Sequence, residues 1–147
     1  RDPSNDIARI AVLERHKKTG RIGLGYVANF GLTRGAIAST VCHDAHNVMV
    51  IGARDASGPE DMAVAVARLS EIGGGQVLVH EGQILAEVPL PIAGLMSDLT
   101  LDSVADQIEN MEQTARFWDC HRCPIHVAVV LGAFGDSRFA DHRPRPD

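Results

Sequence analysis

The sequence predicts an α+β fold in which a largely antiparallel β-sheet packs against two main helices. Short, apolar, strand-like segments separated by polar turns fill the first part of the chain. Two alternating segments flank Glu81-Gly82, which is a typical hairpin turn. Two further segments carry apolar residues at helical spacing. No internal repeat or linker divides the chain, so we expect one folded domain.

Four strands are predicted before the first helix, each by apolar alternation or β-branched content between polar turns. They cover Ala8–Arg15, Ile22–Asn29, Gly35–Val41 and Asn47–Ala53. Gly23 and Gly25 interrupt the second strand, and glycine inside a strand usually marks a bulge or a close backbone approach. We therefore expect a bulge or a close backbone approach there.

The predicted helices begin after clear start signals. Pro59 suits a first helical turn, and Met62, Val66 and Leu69 then share one face, so a helix is expected up to the glycines that follow Ile72. A hairpin is predicted next, with strands at Gln76–His80 and Gln83–Val88, followed by an irregular, proline-containing connector over 89–98. The second helix is predicted from Leu101 to about Trp118.

Composition and charge exclude several classes of function. Lys and Arg number 14 against 19 Asp and Glu, so the net charge of −5 offers no basic face for nucleic acid. No apolar run approaches the roughly 18 residues of a membrane helix, and the opening RDPSNDIAR has no signal-peptide core. The opening residue is not Met, so we expect a fragment or a processed form. Three cysteines do not indicate a secreted disulfide scaffold, and we expect a soluble cytoplasmic protein.

The densest group of chemically active side chains lies in Ser39–Asn47, between two predicted strands. The candidate site residues are His43, Asp44, His46 and Asn47. Imidazoles and a carboxylate can bind a metal, move protons or contact a polar ligand. The alternative is a polar turn in which Asp and Asn bond to nearby backbone. The spacing does not match the zincin helix motif, and no metal ligand is assigned.

Three weaker motifs have simpler explanations. Gly23-x-Gly25 with Ala28 has dinucleotide-binding spacing, but a turn follows instead of a helix, which favours structural glycines. Cys120-x-x-Cys123 is a single pair, so it indicates zinc only if Cys42 or His43 completes the ligand set in space. The charge run over 14–18 is typical of a solvated turn.

Two long segments carry a family resemblance: IAVLERHKKTGRIGLGYVANFGLTRGAIASTVCHDAHNVMVIG and DMAVAVARLSEIGGGQVLVHEGQILAEVPLPIAGLMSD. Their RH, TG, IGLG, GAIAST, HD and HN motifs, with this spacing, resemble the C-terminal domain of bacterial adenine deaminases, in the amidohydrolase superfamily. The resemblance covers residues 7–98. The family usually has HDSHN, and Ala45 replaces the serine here.

The resemblance implies that the parent protein hydrolyses adenine to hypoxanthine and ammonia in adenine catabolism and purine salvage. It implies a divalent metal pair, Mn or Fe, held in a catalytic (β/α)8 barrel of roughly 250 residues, which this chain is too short to contain. This domain would pack on its own N-terminal barrel, help a homo-oligomer to assemble and be inactive alone. His43, Asp44, His46 and Asn47 would then form a wall of the active site. The alternatives are a non-catalytic metal or small-ligand module and a pure assembly domain.

The end of the chain departs from the family. We assign 1–123 to the adenine deaminase C-terminal-type domain and 124–147 to an atypical tail. Back-translation from Pro124, read one nucleotide later, can give PFMSLSFLALSVIPALRITDRGL, which resembles the family's own ending. We therefore predict a frameshift between Thr114 and Pro124, in the gene or in its sequencing. The Arg- and Pro-rich composition beyond Phe134 favours disorder.

Overall fold

The computed structural model describes residues 6–17, 19–42 and 45–117. In chain order its elements are β1 (Ile7–Leu13), β2 (Ile22–Ala28), β3 (Ala36–Ser39), β4 (Val48–Gly52), α1 (Gly58–Glu71), β5 (Gly75–His80), β6 (Gln83–Pro89) and α2 (Leu101–Phe117). The predicted α+β class, with two main helices, is confirmed. None of the helices in these ranges is long and apolar enough to cross a membrane.

The six strands form one sheet in the order β2-β1-β4-β3-β5-β6, and every neighbouring pair is antiparallel. The sheet therefore has one hairpin at each edge, β1–β2 and β5–β6, and the adjacent strands β4 and β3 connect them. The end of β1 lies beside the start of β4, with Leu13 opposite Val48. This pairing brings the turn after β1 next to the loop that precedes β4.

Both faces of the sheet are apolar, because the central strands are buried on both sides. One core contains Ile10, Ile37, Ile51 and Leu78 together with Met111 of α2. The opposite core is built on small and β-branched side chains of β3, β4 and β5, with Leu69 of α1 against them. Helix α1 contacts mainly β3, β4 and β5, and Ala11 of β1 belongs to the same core.

A buried carboxylate joins α1 to the β5–β6 hairpin. Asp61 is fully buried in the first turn of α1, and its two carboxylate oxygens accept the N–H groups of Glu81 and Gly82 at 3.2 Å and 2.7 Å. Both turn residues have positive φ angles, 50° and 75°, as a tight two-residue hairpin requires. The predicted hairpin is confirmed, and the helix fixes its turn.

The expectation of a bulge at Gly23 and Gly25 is wrong. The β1–β2 register is continuous through both glycines, and a Cβ at Gly23 would meet only the Val12 carbonyl, at 4.0 Å. In the described part of the sheet the register shift lies between Leu78 and Val79, where β5 pairs with β6. Pairing with β1 accounts for the regular strand, because every residue from Ile22 to Ala28 has a partner in β1.

Candidate functional site

Three connecting segments meet at one end of the sheet: the turn over 14–21, the loop over 40–47 and the turn over 92–96. We define the end cluster as the four side chains that join these segments together with His46 of the second segment; its members are Arg15, His16, Thr40, His46 and Asn47. The antiparallel pairing of β1 with β4 brings the first two segments together. The third approaches because Leu90 N–H bonds to the Gly74 carbonyl at the start of β5 (2.9 Å).

Glu14 organises the first segment. Its carboxylate accepts the N–H of Lys17 at 2.6 Å, the N–H of Thr19 at 3.1 Å and the Thr19 hydroxyl at 3.0 Å. These bonds favour the charged form, the backbone N–H groups most strongly, and lower the pKa of Glu14 to about 2. The turn is therefore held closed by an ionised carboxylate, which fixes the backbone that presents Arg15 and His16.

Arg15 and His16 bind the loop that contains the predicted site residues. The Arg15 N–H donates to Asn47 Oδ1 at 3.4 Å. His16 Nε2 lies 2.9 Å from the Ala45 carbonyl, and it carries the proton because a carbonyl oxygen can only accept. The resemblance implies a serine at position 45, but this bond uses the Ala45 backbone and not the side chain. The loop contact therefore does not depend on the missing hydroxyl.

The guanidinium of Arg15 reaches the third segment. Its Nη2 donates to the Ala93 carbonyl at 2.7 Å. Ala93 and Gly94 both have left-handed φ angles, 57° and 69°. A Cβ at Gly94 would collide with the Arg15 guanidinium, so glycine is required here for the close approach as well as for the backbone conformation.

The Thr40 hydroxyl also holds the 92–96 turn. Its hydroxyl donates to the Gly94 carbonyl at 2.7 Å and accepts the Gly75 N–H at 2.8 Å. Thr40 is only 1% exposed, and Gly75 and Gly94 are also buried. A single hydroxyl therefore links the end of β3, the start of β5 and the 92–96 turn.

Two nitrogen atoms of the end cluster remain without partners. Arg15 Nη1 and His46 Nδ1 are buried and make no hydrogen bond within the described part of the chain. His46 also has a left-handed φ of 47°, and its N–H closes the loop onto the Cys42 carbonyl at 2.9 Å. Buried polar groups are nearly always paired, so these two unpaired nitrogen atoms indicate capacity to bind something further. That capacity is chemically a donor from arginine and a donor or acceptor from imidazole.

The predicted site residues are only partly placed. His46 and Asn47 lie in the end cluster, both half-buried. His43 and Asp44, and the Cys120-x-x-Cys123 pair, lie outside the described residues. Gly23-x-Gly25 lies within exposed β2, which is followed by irregular residues and β3, so the helix that a dinucleotide site needs is not there.

Arg15 was missed by sequence reasoning. The charge run over 14–18 predicts a solvated turn, and His16 and Lys17 are exposed as expected, but Arg15 is half-buried with Nη1 fully covered. The signal that could have found it is the RH pair, which the sequence shares with the family it resembles. Charge density alone could not separate Arg15 from its neighbours.

An apolar groove of about 500 Å³ adjoins the end cluster. Leu95 and Met96 of the 92–96 turn line it, together with Leu99, Leu101 and Ile108 on the approach to α2 and along it. Met96 is 57% exposed and Leu101 is 84% exposed. Contiguous exposed apolar side chains beside a polar cluster are typical of a surface that contacts another protein segment.

The described residues do not form a metal centre. Within 6–17, 19–42 and 45–117, no three His, Cys, Asp or Glu side chains are grouped so that they could hold a metal ion. We therefore assign no metal ligand to this part of the chain. The chemistry of the end cluster is that of hydrogen-bond donors and acceptors.

Comparison with known proteins gives one consistent result. The family model for the adenine deaminase C-terminal domain matches residues 1–132. An adenine deaminase of Clostridium botulinum (strain Loch Maree / Type A3) is 49% identical over 130 residues, which is 88% of this chain and 21% of that protein. One from Desulfatibacillum aliphaticivorans is 51% identical over 115 residues, 78% of this chain and 20% of that protein.

A third relative, adenine deaminase 2 of Carboxydothermus hydrogenoformans, is 50% identical over 111 residues, 76% of this chain and 19% of that protein. The chain thus spans about a fifth of the length of the curated relatives it matches. The family resemblance of the sequence is confirmed. Because the family model matches most of its length, the chain belongs to the adenine deaminase C-terminal domain family.

Proposed function

We propose that this chain is the C-terminal domain of a longer cytoplasmic adenine deaminase, which hydrolyses adenine to hypoxanthine and ammonia in purine salvage and adenine catabolism. The observation that carries the proposal is the family match over residues 1–132. Relatives named adenine deaminase, with 49% and 51% sequence identity, support it. The reaction consumes water, replaces the C6 amino group of adenine with oxygen and releases ammonia. The isolated chain is inactive, because the catalytic barrel lies in the remainder of the longer protein.

We also propose that the end cluster forms one wall of the adenine site. Adenine presents ring nitrogens as acceptors and an exocyclic amino group as a donor, which matches the unpaired Arg15 Nη1 and His46 Nδ1. Asn47 holds the loop through the Arg15 N–H, and His43 and Asp44 precede it by four and three residues in the sequence. These residues would bind and orient the base. The Mn or Fe pair that the family implies would activate water, but the described residues form no site for it and are given no part in that step.

The groove beside the end cluster is the proposed contact for the N-terminal barrel. Its exposed Met96 and Leu101 would be buried by that contact. The contact would also bring the end cluster close to the barrel, because Leu95 and Met96 belong to the turn that Arg15 and Thr40 hold. The homo-oligomer implied by the family is a further part of the proposal.

The first experiment is the nucleotide sequence upstream of the Arg1 codon. We expect an in-frame segment that encodes a barrel of roughly 250 residues with His-x-His metal ligands. A start codon immediately before Arg1, with no barrel, would overturn the proposal.

The second experiment is a pair of variants in the intact enzyme, His46→Ala and His80→Ala. Both histidines are half-buried, but His80 ends β5 at the opposite end of the sheet from Gly75 and Thr40. We expect His46→Ala to lower kcat/KM for adenine by about tenfold or more, equivalent to one transition-state hydrogen bond of about 1.4 kcal/mol. We expect His80→Ala to leave it unchanged. Unaltered turnover and metal content in the His46→Ala variant would refute the proposal that the end cluster forms a wall of the adenine site.

The isolated chain distinguishes this proposal from a free-standing binding module. Equilibrium dialysis of the 147-residue chain against adenine, and separately against Mn²⁺, should show no saturable uptake of either. Tight stoichiometric binding of adenine or metal by the isolated chain would favour the module instead.

A further inference from the structure

Strand β2 is an open edge of the sheet that carries none of the usual protection. Among the described strands it pairs only with β1. Its sequence, IGLGYVA, contains no charge and no proline. The other edge differs, because β6 contains Glu87, ends at Pro89 and is contacted by α2. Natural edge strands are commonly blocked by charge, proline or a covering helix, so an apolar edge without them indicates a pairing surface.

The exposed side chains of β2 form one row. Ile22 is 57% exposed, Leu24 is 77% exposed and Tyr26 is 75% exposed. Alternation in a strand places all three on the same face, and Ile22 and Leu24 share a groove there with Met62 and Val66 of α1. These exposed fractions show that the described part of the chain leaves the row largely uncovered.

The backbone of the same three residues points to the open edge. Two bonds set the hydrogen-bonding phase of the β1–β2 pair: Glu14 N–H to the Arg21 carbonyl at 3.0 Å, and Asn29 N–H to the Asp6 carbonyl at 2.8 Å. In an antiparallel pair, backbone groups alternate between facing the partner and facing away. Odd-numbered residues of β2 therefore face β1. Even-numbered residues, the exposed row, direct their N–H and C=O groups outward.

We propose that β2 pairs with β2 of a second copy of this chain, antiparallel and about a two-fold axis at Leu24. Leu24 then lies opposite Leu24 of the second copy, and Ile22 lies opposite Tyr26. Each pair exchanges two N–H···O bonds, because the outward groups of both strands are in phase. The aromatic and branched side chains meet as cross-strand neighbours on one face.

A second copy fits this strand because a two-fold axis at Leu24 pairs the exposed row of one chain with the exposed row of the other. An isologous two-fold contact requires such self-complementarity. The proposal gives a surface to the homo-oligomer in the proposed function and rests on it. It uses the edge of the sheet, whereas the proposed barrel contact uses the groove beside α2, so the two contacts can coexist.

Sedimentation velocity on the 147-residue chain tests the pairing. The test variant is Leu24→Lys, and Phe117→Lys is the matched control, since Phe117 is 83% exposed at the end of helix α2 and lines neither groove. We expect a concentration-dependent dimer in the unmodified chain and in the control. Leu24→Lys should dissociate it, with at least a tenfold weaker association constant. A monomeric unmodified chain, or a Leu24→Lys chain that still dimerises as tightly, would overturn the proposal.

Charge exchange then tests the two-fold register. Leu24→Lys and Leu24→Glu should each be monomeric alone, because like charges would face each other across the axis. A mixture of the two should form a one-to-one heterodimer. A mixture that remains monomeric would contradict the register. Neither measurement involves turnover, so failure here is distinct from failure of the deaminase assignment.

Discussion

Replacing Thr40 with valine removes one hydroxyl and keeps the shape of the side chain. The hydroxyl accepts the Gly75 N–H at 2.8 Å and donates to the Gly94 carbonyl at 2.7 Å, and all three residues are buried. Thr40→Val therefore leaves one donor and one acceptor unpaired, away from water. Each costs about 1–3 kcal/mol, and the added methyl group recovers about 1 kcal/mol, so we expect a net loss of about 3 kcal/mol.

Thr40→Ser is the matched control, because it keeps the hydroxyl and loses only a methyl group. We expect it to cost about 1 kcal/mol. The assay is urea denaturation of the 147-residue chain followed by circular dichroism, with the slope compared between variants. If Thr40→Val were no less stable than Thr40→Ser, the hydroxyl would not be the link between β3, β5 and the 92–96 turn.

Three further predictions concern charged groups. Asp61→Ala leaves the N–H groups of the hairpin turn unpaired, and we expect it to lower the free energy of unfolding, measured by urea denaturation, by about 2 kcal/mol. A loss no larger than that of the Asp102→Ala variant, at an exposed position, would contradict this. Arg68→Lys breaks a two-bond pair with Glu87 (2.7 Å and 2.9 Å) while keeping the charge, and should lower the midpoint of urea denaturation slightly. An unchanged midpoint would refute the role of that geometry. The pKa of Glu14 should be near 2 by NMR titration, below its ordinary 4.5, so its stabilising contribution is complete above about pH 4.5 and is lost as the pH falls through 2. A midpoint near 4.5, or a pH dependence unchanged in Glu14→Gln, would contradict it.

Much of the fold could be predicted from the sequence because local signals determine it. Alternation in the strands and the Glu81-Gly82 turn specify the hairpins, and the apolar spacing after Pro59 specifies α1. For most strands, the observed ends differ from the predicted ends by only one or two residues. At these ends side chains such as Thr40 bond to neighbouring segments. The order of strands could not be read from these signals, because it depends on contacts between distant segments.

The candidate site was predictable only in part. The loop with His46 and Asn47 is conspicuous in sequence because it concentrates polar groups. Arg15 is not, because nothing local distinguishes a half-buried arginine from its solvated neighbours. The 92–96 turn is equally hidden, since alanine seldom adopts the left-handed conformation that Ala93 has at φ 57°. Only the pairing of β1 with β4 and the Thr40 hydroxyl bring these pieces together.

The decisive measurement is kcat/KM for adenine in the intact enzyme that carries this domain, compared with its Arg15→Met variant. Methionine removes the guanidinium group that donates to the Ala93 carbonyl, whereas it keeps a long side chain and the backbone N–H that donates to Asn47 Oδ1. If the end cluster is a wall of the adenine site, the variant should lose about tenfold or more in kcat/KM while keeping its metal content and its fold. Unchanged kcat/KM in a folded, metal-loaded variant would show that the cluster has no part in the reaction.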